Sequence, residues 1–431
     1  MELPLNSPAR RWSFLVAVFL VVAAFFFLTG KRWRAESLAR SGNPEAWLRA
    51  AELEPGNAEH WHRLGRFRQY DFEQADLPLA ITYYERATQR DPGNAQFWMD
   101  LASAYEMAGQ PAPAQSAFER ARTAHPISAS VAWHFGNFLI RRGDFARGFA
   151  EIRRAVETDR TLLYPAVSVC WRASGDAVRL LDEILPATGD AYTSAMNFFL
   201  VQQETQAALA VWTRWVALGK EFDLRPAFSL IELLLRDLRW EDARNVWRKS
   251  LQAAGERTES AEGDSLVWDG GFERGFLNGG FAWRKQSVTG AGIGFEAGAA
   301  GAGSRTLRIE FDGTANLDFV HVSQVVLVEP ATRYRFRAKL RTREITTDSG
   351  IQFLISARRT PEAQNLFTPA VVGTTDWTAQ ELEFTTGKST HLLEIMLRRA
   401  PSRKFDNKLK GTVLVDDVSL EPVSPSRGGA R

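Results

Sequence analysis

The stretch AQFWMDLASAYEMAGQPAPAQSAFERARTAHP, residues 95–126, decides how the first half of the chain is built. Trp98, Leu101, Ala102 and Tyr105, and then Ala114, Phe118 and Ala121, recur three and four residues apart in two separate runs. That is the spacing of two amphipathic helices. Between the runs Gly109 supplies a helix stop, and Pro111 and Pro113 do not suit the interior of a continuing helix. The alanines are small where two helices must approach closely, whereas Trp98, Tyr105 and Phe118 are large enough to fill the gap to a neighbouring hairpin. One hairpin cannot bury its own apolar face, so the stretch demands neighbours.

The neighbours are in the sequence. Towards the N-terminus Trp61, Leu64, Gly65, Ala80, Tyr84, Ala87 and Pro92 repeat the order with a slightly longer turn, and towards the C-terminus Phe135, Gly136, Leu139, Gly143, Ile152 and Ala155 do so again. The pattern resembles the tetratricopeptide repeat: Trp98, Leu101, Ala102, Tyr105, Gly109, Ala114, Phe118, Ala121 and Pro126 stand at that family's spacing, with a period of about 34 residues. The resemblance implies an all-α solenoid of five or six hairpins over residues 31–256, whose concave face docks a protein segment. The matching turns ELEPGN and QRDPGN mark joints between hairpins, and after Asp159 the repeats become irregular.

The chain has 431 residues, 24% of them charged and 11% aromatic, which is a globular composition long enough for two or three cores. Its net charge of +2 gives no general affinity for polyanions, and no nucleic-acid partner is expected. Cys170 is the only cysteine, so an internal disulfide framework and a cysteine-rich metal site are excluded.

After a short tail (residues 1–12), residues 13–29 carry no charge, and the 13–30 segment approaches the ~20 residues that cross a bilayer. We read it as an uncleaved transmembrane anchor, because FLTGKRWR lacks a small-residue cleavage motif. Arg10 and Arg11 precede the span and Lys31, Arg32 and Arg34 follow it, which leaves orientation ambiguous by charge alone.

Residues 257–264, RTESAEGD, are polar and aperiodic and read as a linker. Beyond them helical spacing gives way to alternation. Tyr334, Phe336, Ala338 and Leu340 share one face of a strand, as do Ile351, Phe353, Ile355 and Ala357, and further strands are expected at TLRIEF, DFVHVSQVVLV, AQELEFTT, HLLEIMLRR and TVLVDDVSLEP. GAGIGFEAGAAGAGS at 290–304 lacks the lysine of a phosphate loop and reads as a mobile connection. Residues 265–424 are thus an antiparallel sandwich, followed by a disordered tail at 425–431.

Four segments of that sandwich, VWDGGFERG, VHVSQVVLVEPATRYRFRAKLRT, DWTAQELEFTT and GTVLVDDVSLEP, resemble in order and spacing the jelly-roll carbohydrate-binding modules of the galactose-binding-like fold. Asp269 departs from the asparagine frequent there. The resemblance implies a structural calcium, with Glu273 and Asp416 or Asp417 as ligands, since hard cations take carboxylate oxygen. It also implies glycan binding by aromatic stacking and polar side chains, for which Trp283, Phe319, His321 and Gln352 are the candidates. A separate feature is the alternating basic row Arg333, Arg335, Arg337, Lys339 and Arg341. It either receives an acidic polymer or is neutralised across the sheet by a row such as Glu381 and Glu383.

No nucleophile motif and no metal-ligand spacing among His60, His62, His125, His134, His321 and His391 points to an enzyme. The expected fold class is multidomain: transmembrane helix, all-α solenoid, all-β jelly roll. The expected function is that of a non-catalytic scaffold in the bacterial inner membrane, its body extracytoplasmic, serving assembly, export or attachment of surface polysaccharide. Two alternatives stand: a protein-assembly factor whose jelly roll touches only protein, and an accessory subunit of a separate carbohydrate-active enzyme.

Overall fold

The computed structural model describes residues 8–219, 224–255, 265–297, 305–362 and 364–423. The expected linker at 257–264 and tail at 425–431, and most of the tail at 1–12, lie outside them.

Helices come in pairs. They are α1 (Pro8–Ala39) with α2 (Pro44–Leu53), α3 (Ala58–Tyr70) with α4 (Leu77–Arg90), α5 (Ala95–Met107) with α6 (Pro111–Ala124), and α7 (Ala129–Arg141) with α8 (Phe145–Thr158). Next, α9 (Leu163–Ser174) is answered by a short α10 (Ala177–Arg179) that runs into a π-helical turn at Leu180–Ile184. Two more pairs follow, α11 (Gly189–Gln202) with α12 (Thr205–Val216) and α13 (Leu224–Arg236) with α14 (Trp240–Ala253). That makes seven pairs among the described residues, more than the five or six expected, because the first borrows the end of α1 and the fifth is degenerate.

The joints have a local cause. Asn43, Asn57 and Asn94 each accept a hydrogen bond from the backbone N–H two residues on, capping α2, α3 and α5. Within the same turns Trp61 Nε1 donates to the Pro55 carbonyl at 3.2 Å and Trp98 Nε1 to the Pro92 carbonyl at 2.9 Å, which fixes each helix to the turn before it. Gly65 is obligatory for packing: a Cβ there meets the Tyr84 ring at 2.7 Å. Leu101, Ala102, Ala114 and Phe118 are buried with Tyr84, Phe135 and Leu139 in one core.

Seven of the ten strands among the described residues fall on the expected segments. The strands are β1 (Arg284–Lys285), β2 (Ala291–Ala297), β3 (Arg305–Asp312), β4 (Val322–Leu327), β5 (Arg333–Ile345), β6 (Gln352–Arg358), β7 (Asn365–Phe367), β8 (Gly373–Thr385), β9 (Leu392–Arg398) and β10 (Lys410–Pro422). They build two five-stranded antiparallel sheets, ordered β1-β4-β9-β6-β7 and β2-β3-β10-β5-β8. Tyr334, Phe336, Ala338, Leu340, Ile351, Phe353 and Ile355 are core between them, on the faces that alternation predicts. The reading of 290–304 as a connection is corrected for 291–297, which is edge strand β2. Ile293 and Phe295 pack on the core while small residues alternate with them; the rest of that stretch lies outside the described residues.

The chain divides into two compact units, Met1–Pro186 and Ala187–Arg431. The helices α11 to α14 therefore go with the sandwich.

Candidate functional site

The expected calcium ligands separate. Asp416 and Glu273 converge: the position a Cβ would take on Gly271 is 3.8 Å from Asp416 Oδ1 and 4.0 Å from Glu273 Cγ. Asp417 does not join them, because the bulge in β10 sends its carboxylate to Lys339 Nζ at 2.6 Å. Asp269 stands close by, and its carboxylate accepts from the backbone N–H groups of Glu273 and Arg274 at 2.9 Å each. Burial pushes Asp269 up to about 6 and also raises Asp416. Among the described residues no group of three or more His, Cys, Asp or Glu is placed to hold a metal ion. Glu273 Oε1 already accepts from the Arg305 N–H at 3.0 Å and Asp416 Oδ1 from the Asp417 N–H at 2.9 Å, so among the described residues a cation here would find two carboxylates that each keep part of their acceptor capacity.

The aromatic candidates for stacking are corrected by burial. Trp283 is 1% exposed, its ring 5.0 Å from Phe272 and its Nε1 donating to the Asp269 carbonyl at 3.0 Å. Phe319 is 0% exposed, and edge-on to Phe311 at 5.3 Å. Neither presents a face to a ligand. His321 packs on Phe319 at 5.2 Å, and burial holds its imidazole below the usual histidine range. Gln352 is partly exposed at the start of β6.

The basic row is neutralised as well. The register pairs Arg335 with Glu383 and Arg337 with Glu381. Arg333 lies 2.6 Å and Arg335 2.5 Å from Glu383, and Arg337 lies 3.2 Å from Glu381. Lys339 meets Asp417, and Arg341 meets Asp376 at 3.4 Å. Arg333, Arg335 and Arg337 therefore brace two neighbouring strands, each with its charge paired to a carboxylate of β8.

Sequence reading missed the outer face of the other sheet. Phe353 and Ile355 of β6 and Leu393, Ile395 and Leu397 of β9 are core, so Gln352, Leu354 and Arg358, with Glu394, Met396 and Arg398, face away. Register aligns Phe367, Leu354, Met396 and Ser323 in one cross-strand row. Phe367 is 48% exposed at the β7 edge. Arg358 pairs with Glu394 at 2.6 Å on one side of the row, and Arg398 pairs with Asp318 beyond the other side, next to Gln352. Met396 is only 6% exposed, with Arg358 Nη2 3.8 Å from its Sδ, so the accessible apolar surface is Phe367 and part of Leu354. Such a surface beside oriented polar pairs suits a ligand with an apolar face and a rim of hydroxyls.

The last helix pair is seated on the sandwich. Trp247 meets Trp268 at 5.6 Å and Phe281 at 6.0 Å, both edge to face. Side chains at Gly279 and Gly280 would collide with Phe228 and Trp247, at 2.1 and 2.6 Å. Arg284 pairs with Glu232, Arg244 with Glu329 at 3.2 Å, and Trp240 stacks on His391 at 5.5 Å.

In the first unit, the leading helices of successive pairs are linked side by side. His62 Nε2 lies 2.6 Å from Asp100, Gln69 Nε2 donates to Ser103 Oγ at 3.4 Å, and Arg141 pairs with Glu106 at 2.8 Å. An open cleft of about 450 Å³ beside them is lined by Trp47, His62, Arg63, Arg66, Phe67 and Tyr70, among others.

Residues 71–132 match the family model for the tetratricopeptide repeat. No curated protein matches the chain. Solved structures similar to it include the enzymatically active domain of tailspike protein 4 of bacteriophage CBA120 (10% identity, 37% of this chain, 22% of that chain, TM-score 0.28). Another is the carbohydrate-binding and catalytic module pair of the N-terminal endo-1,4-β-D-xylanase 10B of Clostridium thermocellum, in complex with xylohexaose (14% identity, 39% and 30%, TM-score 0.27). A third is titled "CBM4 structure and function" (17% identity, 36% and 99%, TM-score 0.28). The chain thus spans less than a third of the first two.

Proposed function

We propose that this chain is a non-catalytic, membrane-anchored adaptor whose sandwich engages a polysaccharide on the outer face of the β4-β9-β6-β7 sheet. The observation that carries the reading is the exposed ring of Phe367 beside the half-buried Leu354, between the Arg358–Glu394 pair and Gln352 beside Arg398, with Met396 buried beneath as their support. Phe367 offers a stacking surface to the apolar face of a sugar ring, and the paired charges offer fixed donors and acceptors to its hydroxyls. The helical repeats dock a protein segment. Helix α1, long and apolar enough to cross a membrane, holds the body at the bacterial inner membrane on its extracytoplasmic side. Assembly, export or attachment of surface polysaccharide is the role this combination serves.

A glycan array probed with the detergent-solubilised full chain tests the binding claim, and binding to none of the arrayed polysaccharides rejects it in favour of protein-only contact. A calcium held by Glu273 and Asp416 belongs to the same proposal as a structural element. Its sign is a rise in the thermal midpoint on adding calcium, lost in Glu273→Gln; an unchanged midpoint removes the metal from the account. Protease protection of spheroplasts checks the placement, since a fully shielded sandwich reverses it.

A further inference from the structure

Helix α1 does not stop at the end of its apolar run. It continues unbroken from Pro8 to Ala39, and its last turns are part of the first hairpin: Ala35 and Ala39 are buried, and Arg63 Nη1 donates to the Ala39 carbonyl. No hinge separates the apolar run from the repeats. Trp12 immediately precedes that run and Trp33 follows it after Gly30, Lys31 and Arg32; the two are 71% and 74% exposed. Their 21-residue separation along α1 corresponds to about 31 Å of helix, close to the ~30 Å hydrocarbon thickness of a bilayer. Tryptophan favours the interface, so Trp33 marks the headgroup level.

At that level lies a cleft of about 770 Å³, lined by Leu28, Lys31 and Arg32 of α1 and by Glu54, Arg90 and Asp91 at the turns that join successive hairpins. Arg32 Nε is 3.7 Å from Glu54 Oε1, which places the 54–57 turn against the end of the apolar run. Lys31 and Arg90 form no ion pair among the described residues. Asp91 and Asn94 also line the next cleft along the same edge, with His125 and Ser128 of the following turn. Three cations and the carboxylates of Glu54, Glu59 and Asp91 share the first cleft with the apolar Leu28. A ligand carrying both charges and an apolar tail matches that lining better than a simple anion does.

We infer that the turn edge of the first two hairpins, at residues 54–57 and 91–94, lies in the lipid headgroup layer. A zwitterionic phospholipid occupies the cleft, its phosphate towards Lys31, Arg32 and Arg90, its ammonium towards the carboxylates, and its acyl chain along Leu28. The repeats are thereby fixed against the bilayer by one edge. This rests on the membrane reading of α1.

The test uses the full chain in nanodiscs of a zwitterionic phospholipid, with single nitroxide labels at Val21→Cys, Gly56→Cys, Gly93→Cys or Gln110→Cys. Gly56 and Gly93 accept a Cβ without collision, and burial pushes the Cys170 thiol up to about 12, so the native cysteine does not compete for label. Position 110 is the internal control, lying beyond the far end of α5, about 20 Å of helix from the 91–94 turn. We expect position 21 to report hydrocarbon depth, with positions 56 and 93 several-fold less accessible to a water-soluble nickel chelate than position 110. If position 21 is deep while 56 and 93 match 110, the edge stands clear of the lipid and the inference is overturned. If position 21 is itself open to the chelate, the membrane reading fails and takes this inference with it.

Discussion

Replacing Trp247 by alanine probes whether α13 and α14 are part of the sandwich's cooperative structure. The indole lies edge to face with Trp268 and Phe281, with Phe228 6.1 Å away, and it fills space that the glycines at 279 and 280 leave open. Truncating a large buried aromatic leaves a cavity and costs about 3–5 kcal/mol. For a unit of this size, at roughly 2–4 °C per kcal/mol, the expected fall in thermal midpoint is about 6 to 20 °C. Hydrogen exchange on the full chain gives the sharper readout. If the hairpin and the sandwich share one cooperative unit, Trp247→Ala lowers amide protection in β1, in β4 and around Trp268 together with that of α13 and α14. Loss confined to the two helices, with the strands as protected as in the parent chain, refutes the reasoning.

Other outcomes follow from single groups. Arg399 is fully buried and donates to Asn316 Oδ1, Leu317 O, Thr347 Oγ1 and Asn407 O, so Arg399→Met strands several buried acceptors and should cost about 3 kcal/mol or more in urea unfolding; a change below about 1 kcal/mol contradicts this. Asp269 has a folded-state pKa of about 6, above its ordinary value of 3.8. The folded chain therefore holds a proton between those values that the unfolded chain releases. Its contribution to stability is complete below 3.8 and is lost as pH rises through about 6, an effect on the order of 2–3 kcal/mol. In chelator, thermal midpoints at pH 5 and 7 should differ less for Asp269→Asn than for the parent chain, and equal pH slopes would show the attribution to be mistaken. Arg333→Gln, Arg335→Gln and Arg337→Gln combined should leave polysaccharide affinity unchanged, since those guanidinium groups are engaged by Glu381 and Glu383; weaker binding restores the basic row as a ligand site.

What was legible in the sequence is what repeats or alternates locally. The hairpins announce themselves because Trp61 and Trp98 recur with the same Pro-Gly-Asn turns, and a helix face is decided within one turn of itself. Strands β5 and β6 are equally plain, since buried residues alternate from Tyr334 to Thr342 in the one and from Phe353 to Ile355 in the other. Strand β2 is not, because glycines dilute its alternation. Pairing across a sheet is a long-range property: Arg335 and Glu383 are 48 positions apart, and only the register of β5 on β8 brings them together. The same holds for Phe367, an aromatic on a three-residue edge strand whose alignment with Leu354 and Met396 exists only once the sheet is assembled. Trp283 is a stacking candidate by residue type, whereas the fold turns its indole inward onto Phe272, a contact that local sequence does not show. Nothing in the sequence around the paired glycines at 279 and 280 shows their role, which is to let Phe228 and Trp247, about 30 to 50 positions earlier, approach the backbone.

The central claim is that a sugar polymer sits on the Phe367 strip by stacking and hydrogen bonding. The most direct measurement is a calorimetric titration of the full chain and of Phe367→Ala with the strongest polysaccharide from the glycan array, at low and at high salt. The account predicts binding that salt leaves nearly unchanged and that weakens at least tenfold in Phe367→Ala, about 1.4 kcal/mol. Affinity unaltered by the substitution, or abolished by salt, contradicts it.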